Sequence, residues 1–184
     1  MSSMIAMREH FDASSLPDNY LLPLWYVTYT RANHEKRVQE QLEQSSVESF
    51  LPLYEECRRW KDRKMRLQLP LFPGYVFVHL ALRDRLRVLQ IPGVVRLVGF
   101  NGDPVPLTES DIEALRTALD GRSILQPHPY LTVGRRVRIK DGPLKGMEGV
   151  LVRKKNIFRL VVSISLIARS ASVEIDTANV ERIN

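Results

Sequence analysis

One cysteine, Cys57, stands in 184 residues, so the chain forms no internal disulfide and offers no thiolate cluster to zinc. No stretch approaches the roughly 18 consecutive apolar residues of a membrane span, and the opening MSSMIAMREHF lacks the apolar core of a secretory signal. These absences predict a cytoplasmic protein with no membrane partner, no metal and no cofactor. Catalytic pairings are missing too. His10, His34, His79 and His128 are scattered, and neither a Ser/His/Asp set nor a carboxylate pair occurs at a recognisable spacing. That argues against an enzyme.

An acidic excess is also lacking, and the formal net charge is +6. Residues 131–184 carry 11 Lys/Arg against 5 Asp/Glu, while residues 1–130 carry 16 of each. The whole excess therefore lies in the C-terminal third. Within the neutral part, EECRRWKDRKMRLQL at 55–69 holds six basic and three acidic residues. Both concentrations suit a partner that carries phosphates.

With 44% hydrophobic and 26% charged residues, the chain can bury a core. Residues 1–23 show no period and are expected to form a disordered leader. Trp25–Thr30, rich in β-branched and aromatic residues, predicts a strand with Trp25, Val27 and Tyr29 on one face. A short helix follows, with Asn33 as its cap, Glu35 at its positive end and Val38 and Leu42 as its apolar stripe. Residues 48–54 read as one strand whose Pro52 points to a sheet edge or a bulge. Two charged arms around Lys61–Lys64 then read as a hairpin projecting into solvent.

Tyr75–Leu80 predicts a central strand with Tyr75, Phe77 and His79 on one face and Val76, Val78 and Leu80 on the other. Leu82, Leu86 and Leu89 suggest a second helical stripe, and Val94–Val98 a strand leading to an Asn101-Gly102 turn. Thr108 with Asp111 reads as a capping box for a helix lined by Ile112, Leu115 and Leu119. These elements predict an α+β domain over 24–120 with a mostly antiparallel sheet. GRSILQPHP in 121–130 reads as a linker. Beyond it the twofold alternation of Val137/Ile139, Val150/Val152, Leu160/Val162/Ile164 and Val173/Ile175 predicts a small β-barrel of about five strands over 131–184. Gly142, Gly146 and Gly149 fit a tight turn there rather than a phosphate loop, because strands flank them.

WYVTYTRANHEKRV, ESFLPLY, PLFPGYVFV, IPGVVRLVGFNGDPVPL and VGRRVRIKDGPLKGMEGV resemble successive blocks of the NusG family of transcription elongation factors. They run from about Trp25 to Ile183 and cover its N-terminal (NGN) domain and its KOW domain in order. The long basic hairpin before PLFPGY is most similar to specialised antitermination paralogues of the UpxY and RfaH type. The resemblance implies a monomeric, non-enzymatic factor that binds elongating RNA polymerase and suppresses pausing or premature termination on specific operons. A housekeeping factor acting genome-wide and a KOW-type RNA- or ribosome-binding protein are the alternatives.

Further implications concern residues. Docking on the clamp helices of the largest polymerase subunit falls to Tyr29, Phe72, Tyr75 and Phe77, with plain core packing as the competing role. Contact with non-template DNA at the upstream fork falls to Arg31, His34 and Arg37, and longer-range phosphate contact to Arg58, Arg59, Lys61, Arg63, Lys64 and Arg66. In relatives the KOW domain engages Rho or a NusE-type ribosomal protein. Here the basic run Arg153, Lys154, Lys155 argues against Rho and for RNA or the ribosome. Because VVSISLI is dense in β-branched residues, the domain is expected to remain a barrel and not to mask the polymerase site as a helical hairpin.

Overall fold

A computed structural model describes residues 18–60, 63–120, 126–128, 134–142, 144–154 and 157–183. Of the expected leader, residues 1–17 lie outside this set, and Asp18–Leu21 form a single helical turn, α1. Strand β1, Leu24–Thr30, and helix α2, Glu35–Gln44, follow. Next come β2, Glu48–Phe50, and the arms β3, Leu53–Trp60, and β4, Arg63–Pro70. Pro52 falls between β2 and β3, as its missing amide donor requires, and its carbonyl accepts the Leu71 N–H at 2.8 Å.

Strand β5, Tyr75–Leu80, lies in a four-stranded antiparallel sheet ordered β2-β5-β1-β6, where β6 is Val94–Leu97. Registry pairs Tyr29 with Tyr75, Val27 with Phe77 and Trp25 with His79, so the predicted faces coincide across the two central strands. One face packs Tyr26, Val76, Val78 and Leu80 on Val38 and Leu42 of α2 and on Val88 and Ile91. Burying Val38 and Leu42 contributes about 1.5–3 kcal/mol each, which is what holds so short a helix. The other face packs Trp25, Val27 and Phe77 against Ile112, Leu115 and Ala118 of α4, Glu109–Asp120. At the start of α4 the Asp111 N–H donates to Thr108 Oγ1 at 3.3 Å and the Thr108 hydroxyl to Asp111 Oδ2 at 2.8 Å, the expected capping box.

Two local expectations fail. Asn33 does not cap α2: it takes φ of 61°, and His34 occupies the capping position without a side-chain cap. The stripe Leu82/Leu86/Leu89 does not form, because a 3-10 turn at Leu82–Asp84 precedes α3, Arg85–Leu89. The tighter turn shifts the helical phase, so Leu82 and Val88 are buried while Leu86 and Leu89 face outward. On α4, Leu119 packs against the core with Ile112 and Leu115 as expected, and Ala118 joins them fully buried. The Asn101-Gly102 turn does form, between β7, Gly99–Phe100, and β8, Asp103–Pro104, with positive φ at both central residues.

The C-terminal unit is a six-stranded antiparallel sheet rather than a five-stranded one. It comprises β9, Gln126–His128, β10, Arg135–Ile139, β11, Glu148–Lys154, β12, Ile157–Ile164, β13, Arg169–Ile175, and β14, Val180–Arg182. Their order is β14-β10-β11-β12-β13-β9. The sixth strand, β9, comes from the stretch read as linker and pairs with β13. Val137, Leu160, Ala171 and Val173 fill its interior, and their apolar cluster is continuous with that beneath α4. At Gly149 a Cβ would lie 2.4 Å from the Val161 carbonyl oxygen, so strands β11 and β12 approach there only because the side chain is hydrogen.

Candidate functional site

The segment Leu71–Gly74 carries the chain from the hairpin into β5. Gly74 sits at φ of 85°, a conformation that costs an L residue with a side chain about 1–2 kcal/mol. Its N–H donates to Glu35 Oε1 at 2.7 Å, and its carbonyl accepts the Thr30 N–H at 2.8 Å. Glu35 is buried. It therefore acts as a tether from α2 to this loop as well as a charge at the helix start.

That tether fixes Tyr75 beside Tyr29, with ring centroids 5.5 Å apart. Tyr29 is 39% exposed and Tyr75 half-buried, whereas Phe72 and Phe77 are 1% and 0% exposed and meet edge to face at 6.1 Å. The four aromatic candidates thus separate into a surface pair and a core pair. The cations Arg96 and Arg169 lie 5.7 Å from the Tyr29 ring and 5.9 Å from the Tyr75 ring, in the order Arg96, Tyr29, Tyr75, Arg169. Arg169 belongs to β13. The C-terminal unit keeps its strands as expected, yet it lays one cation on the surface that was expected to stay unmasked.

Arg31, His34 and Arg37 come together at the start of α2. Arg31 and Arg37 are exposed, and the Arg31 N–H is held by the Gly93 carbonyl at 2.8 Å. His34 Nδ1 lies 2.9 Å from the Ala32 carbonyl. A carbonyl only accepts, so Nδ1 carries the proton and Nε2 is the nitrogen left for a partner. Arg37, Gln41 and Gln44, spaced i, i+4 and i+7, continue along one side of the helix. Gln41 and Gln44 line a cavity of about 390 Å³ together with Ser45, Arg87 and Gln90. Gln41 Oε1 is buried with no hydrogen-bond partner among the described residues, and Arg87 donates to the Ser45 carbonyl at 2.5 Å. Sequence periodicity missed Gln41 and Arg87. Gln41 reads as an ordinary polar helix position, and Arg87 comes from a separate helix.

In the hairpin, Arg58 pairs with Glu56 at 3.1 Å and Arg66 approaches Glu55 at 3.6 Å. Hydrogen bonding to Glu56 pushes the Arg58 guanidinium pKa up, so its charge is secure but partly compensated. Arg59 stands opposite Lys64 in the ladder and Trp60 opposite Arg63. Lys61 and Lys155 lie outside the described residues. Arg153 and Lys154 end β11, facing Phe158 and Ile157 in register. The hairpin cations lie on β3 and β4 and Arg153 and Lys154 on β11, on elements other than the start of α2 that carries Arg37.

An antiparallel sheet flanked by helices, followed by a second antiparallel β unit, defines an α+β fold with exposed aromatic and cationic side chains. The family described as "Transcription termination factor nusG" matches residues 23–116. The chain belongs to the NusG family. It is 29% identical over 172 residues to the transcription termination/antitermination protein NusG of Campylobacter jejuni, covering 86% of this chain and 97% of that protein. The NusG of Pseudomonas aeruginosa is 28% identical over 174 residues, with 86% and 98% covered. A solved structure, "Domain interaction in Thermotoga maritima NusG", shares the fold at TM-score 0.53 and 24% identity, covering 88% of this chain and 98% of that one. The protein is a NusG-type transcription factor. No helix among the described residues is long and apolar enough to cross a membrane.

Proposed function

We propose that this chain binds elongating RNA polymerase at the clamp helices of the largest subunit and suppresses pausing or premature termination on particular operons. The observation that carries this reading is the Tyr29–Tyr75 pair, an aromatic surface held in place by the Glu35–Gly74 bond beside an arginine. Amphipathic rings with polar tips suit a helical partner, whose apolar side chains pack on the faces while its polar groups meet the hydroxyls. Phe72 and Phe77 support the surface from below. Because Arg169 covers Tyr75, docking requires the C-terminal unit to move aside.

Arg31, His34 and Arg37 then face the non-template strand, the arginines on phosphates and the α2–α3 cavity on an unpaired base. Glutamines and an arginine are the side chains that read base edges. The hairpin cations add longer-range attraction, weakened by Glu55 and Glu56. The KOW unit, freed from Tyr75, contacts RNA or a NusE-type ribosomal protein through Arg153, Lys154 and Lys155, and not Rho. A single-round transcription assay tests the reading: added protein should shorten the dwell at a strong pause. Lengthened dwell or increased termination would contradict it, and occupancy along the whole chromosome rather than a few operons would favour the housekeeping role.

A further inference from the structure

Strand β9 is the weakest member of the C-terminal sheet by construction. It has three residues and pairs with β13 alone among the described strands, as the outermost strand on that side. Pro127 at its centre has no amide to donate, so at most Gln126 and His128 contribute N–H groups to the ladder. A side chain adds the rest of the hold. Arg159 of β12 donates from one terminal nitrogen to Gln126 Oε1 at 3.0 Å and from the other to Glu174 Oε1 of β13 at 2.7 Å. This clasp is incompletely satisfied. The Arg159 side chain is 18% exposed, and its Nε is buried with no hydrogen-bond partner among the described residues. Ser172, directly opposite Gln126, is buried as well, and its Oγ also lacks a partner among them.

Its place in the chain gives this short strand leverage. The β9–β13 ladder ends at Ser170, next to Arg169, whose guanidinium lies 5.9 Å from the Tyr75 ring. With β9 paired, the five residues 121–125 connect it to Asp120 at the end of α4. Such a connection spans at most about 18 Å. With β9 unpaired, the fourteen residues 121–134 connect α4 to β10. Their reach is about 50 Å.

We propose that β9 is a releasable strap: paired with β13 it keeps the C-terminal unit close to the Tyr29–Tyr75 surface, and unpaired it lets that unit leave while remaining attached. Lifting the strap lets water reach Arg159 and Ser172, which offsets the lost ladder bonds because a buried polar atom without a partner is costly. The local concentration of a tethered unit falls roughly as the −3/2 power of tether length, so going from five to fourteen residues favours the open arrangement by about fivefold. The proposal rests on the Arg169–Tyr75 contact and not on the identity of what docks at Tyr75.

Amide exchange and spin-label distances on the full chain test it. In the parent, the His128 amide should exchange through an opening that leaves β12 and β13 protected. Gln126→Lys sets a second cation against Arg159 and should speed that exchange. Nitroxides on Cys57, which is exposed, and on Lys145→Cys should then report about fivefold more of the long-distance population than in the parent. Should Gln126→Lys leave β9 paired, Gln126→Pro/His128→Pro removes its last amide donors and is expected to give the same shift. Three results would overturn the proposal: exchange of His128 only together with β12 and β13, loss of their protection in either variant, or an open population no higher than the parent's once β9 is released.

Discussion

The Glu35 carboxylate accepts the Gly74 amide at 2.7 Å, joining two residues 39 positions apart at the point where the chain turns into its central strand. The bond is buried, so neither group has water as a substitute. Replacing Glu35 by Ala strands the Gly74 donor at a cost of about 1–3 kcal/mol, whereas Glu35→Gln keeps an acceptor oxygen and should recover most of it. Urea denaturation of the three proteins checks the order.

Gly74→Ala should be destabilising by about 1–2 kcal/mol because of its positive φ. Its Cβ would also lie 3.3 Å from the Tyr29 ring, so the tyrosine pair must shift. Tyrosine fluorescence together with denaturation would register both effects. An unchanged midpoint would contradict the conformational argument.

Phe72 and Phe77 are now expected to behave as core residues. Truncating either to Ala should cost about 3–5 kcal/mol, so loss of polymerase binding in those variants would follow from loss of structure. Thermal unfolding distinguishes this from a surface role, which would leave the midpoint within a degree or two of the parent.

Arg169 contributes one exposed cation–π contact over Tyr75, about 0.5–1 kcal/mol, to what opposes docking. Arg169→Ala should therefore tighten polymerase binding about two- to fivefold. Weaker binding in that variant would mean that Arg169 contributes to the complex instead of competing with it.

Gln41→Ala removes the buried carbonyl oxygen that lacks a partner. Its expected effect is fold stability unchanged or improved, read by urea denaturation, with lowered stability as the contrary result. The Arg31→Ala/Arg37→Ala variant should lower the salt slope of cross-linking to the non-template strand in a stalled complex by about two phosphate contacts.

Legibility from the sequence tracked periodicity. The faces of β1 and β5, the α2 stripe of Val38 and Leu42, the Thr108–Asp111 box and the Asn101-Gly102 turn depend on residues close in sequence, and all were readable. What escaped depended on distant partners. Nothing local distinguishes Phe72, which is buried, from Tyr75, which reaches the surface. Glu35 reads as a helix-start charge until the fold brings Gly74 to it. Leu86 and Leu89 look like a core stripe because the phase shift of the 3-10 turn at Leu82–Asp84 leaves no mark in hydrophobic spacing. The β9 strand was hidden by Pro127 within it and Pro129 just after it, since proline is compatible with an edge strand as well as a linker.

The central claim is that Tyr75 and Tyr29 form the polymerase-docking surface, and equilibrium binding of the full chain to a stalled elongation complex tests it most directly. Tyr75→Ala should weaken binding at least tenfold while circular dichroism and the unfolding midpoint stay close to the parent. Undiminished affinity in a folded Tyr29→Ala/Tyr75→Ala variant would contradict the account.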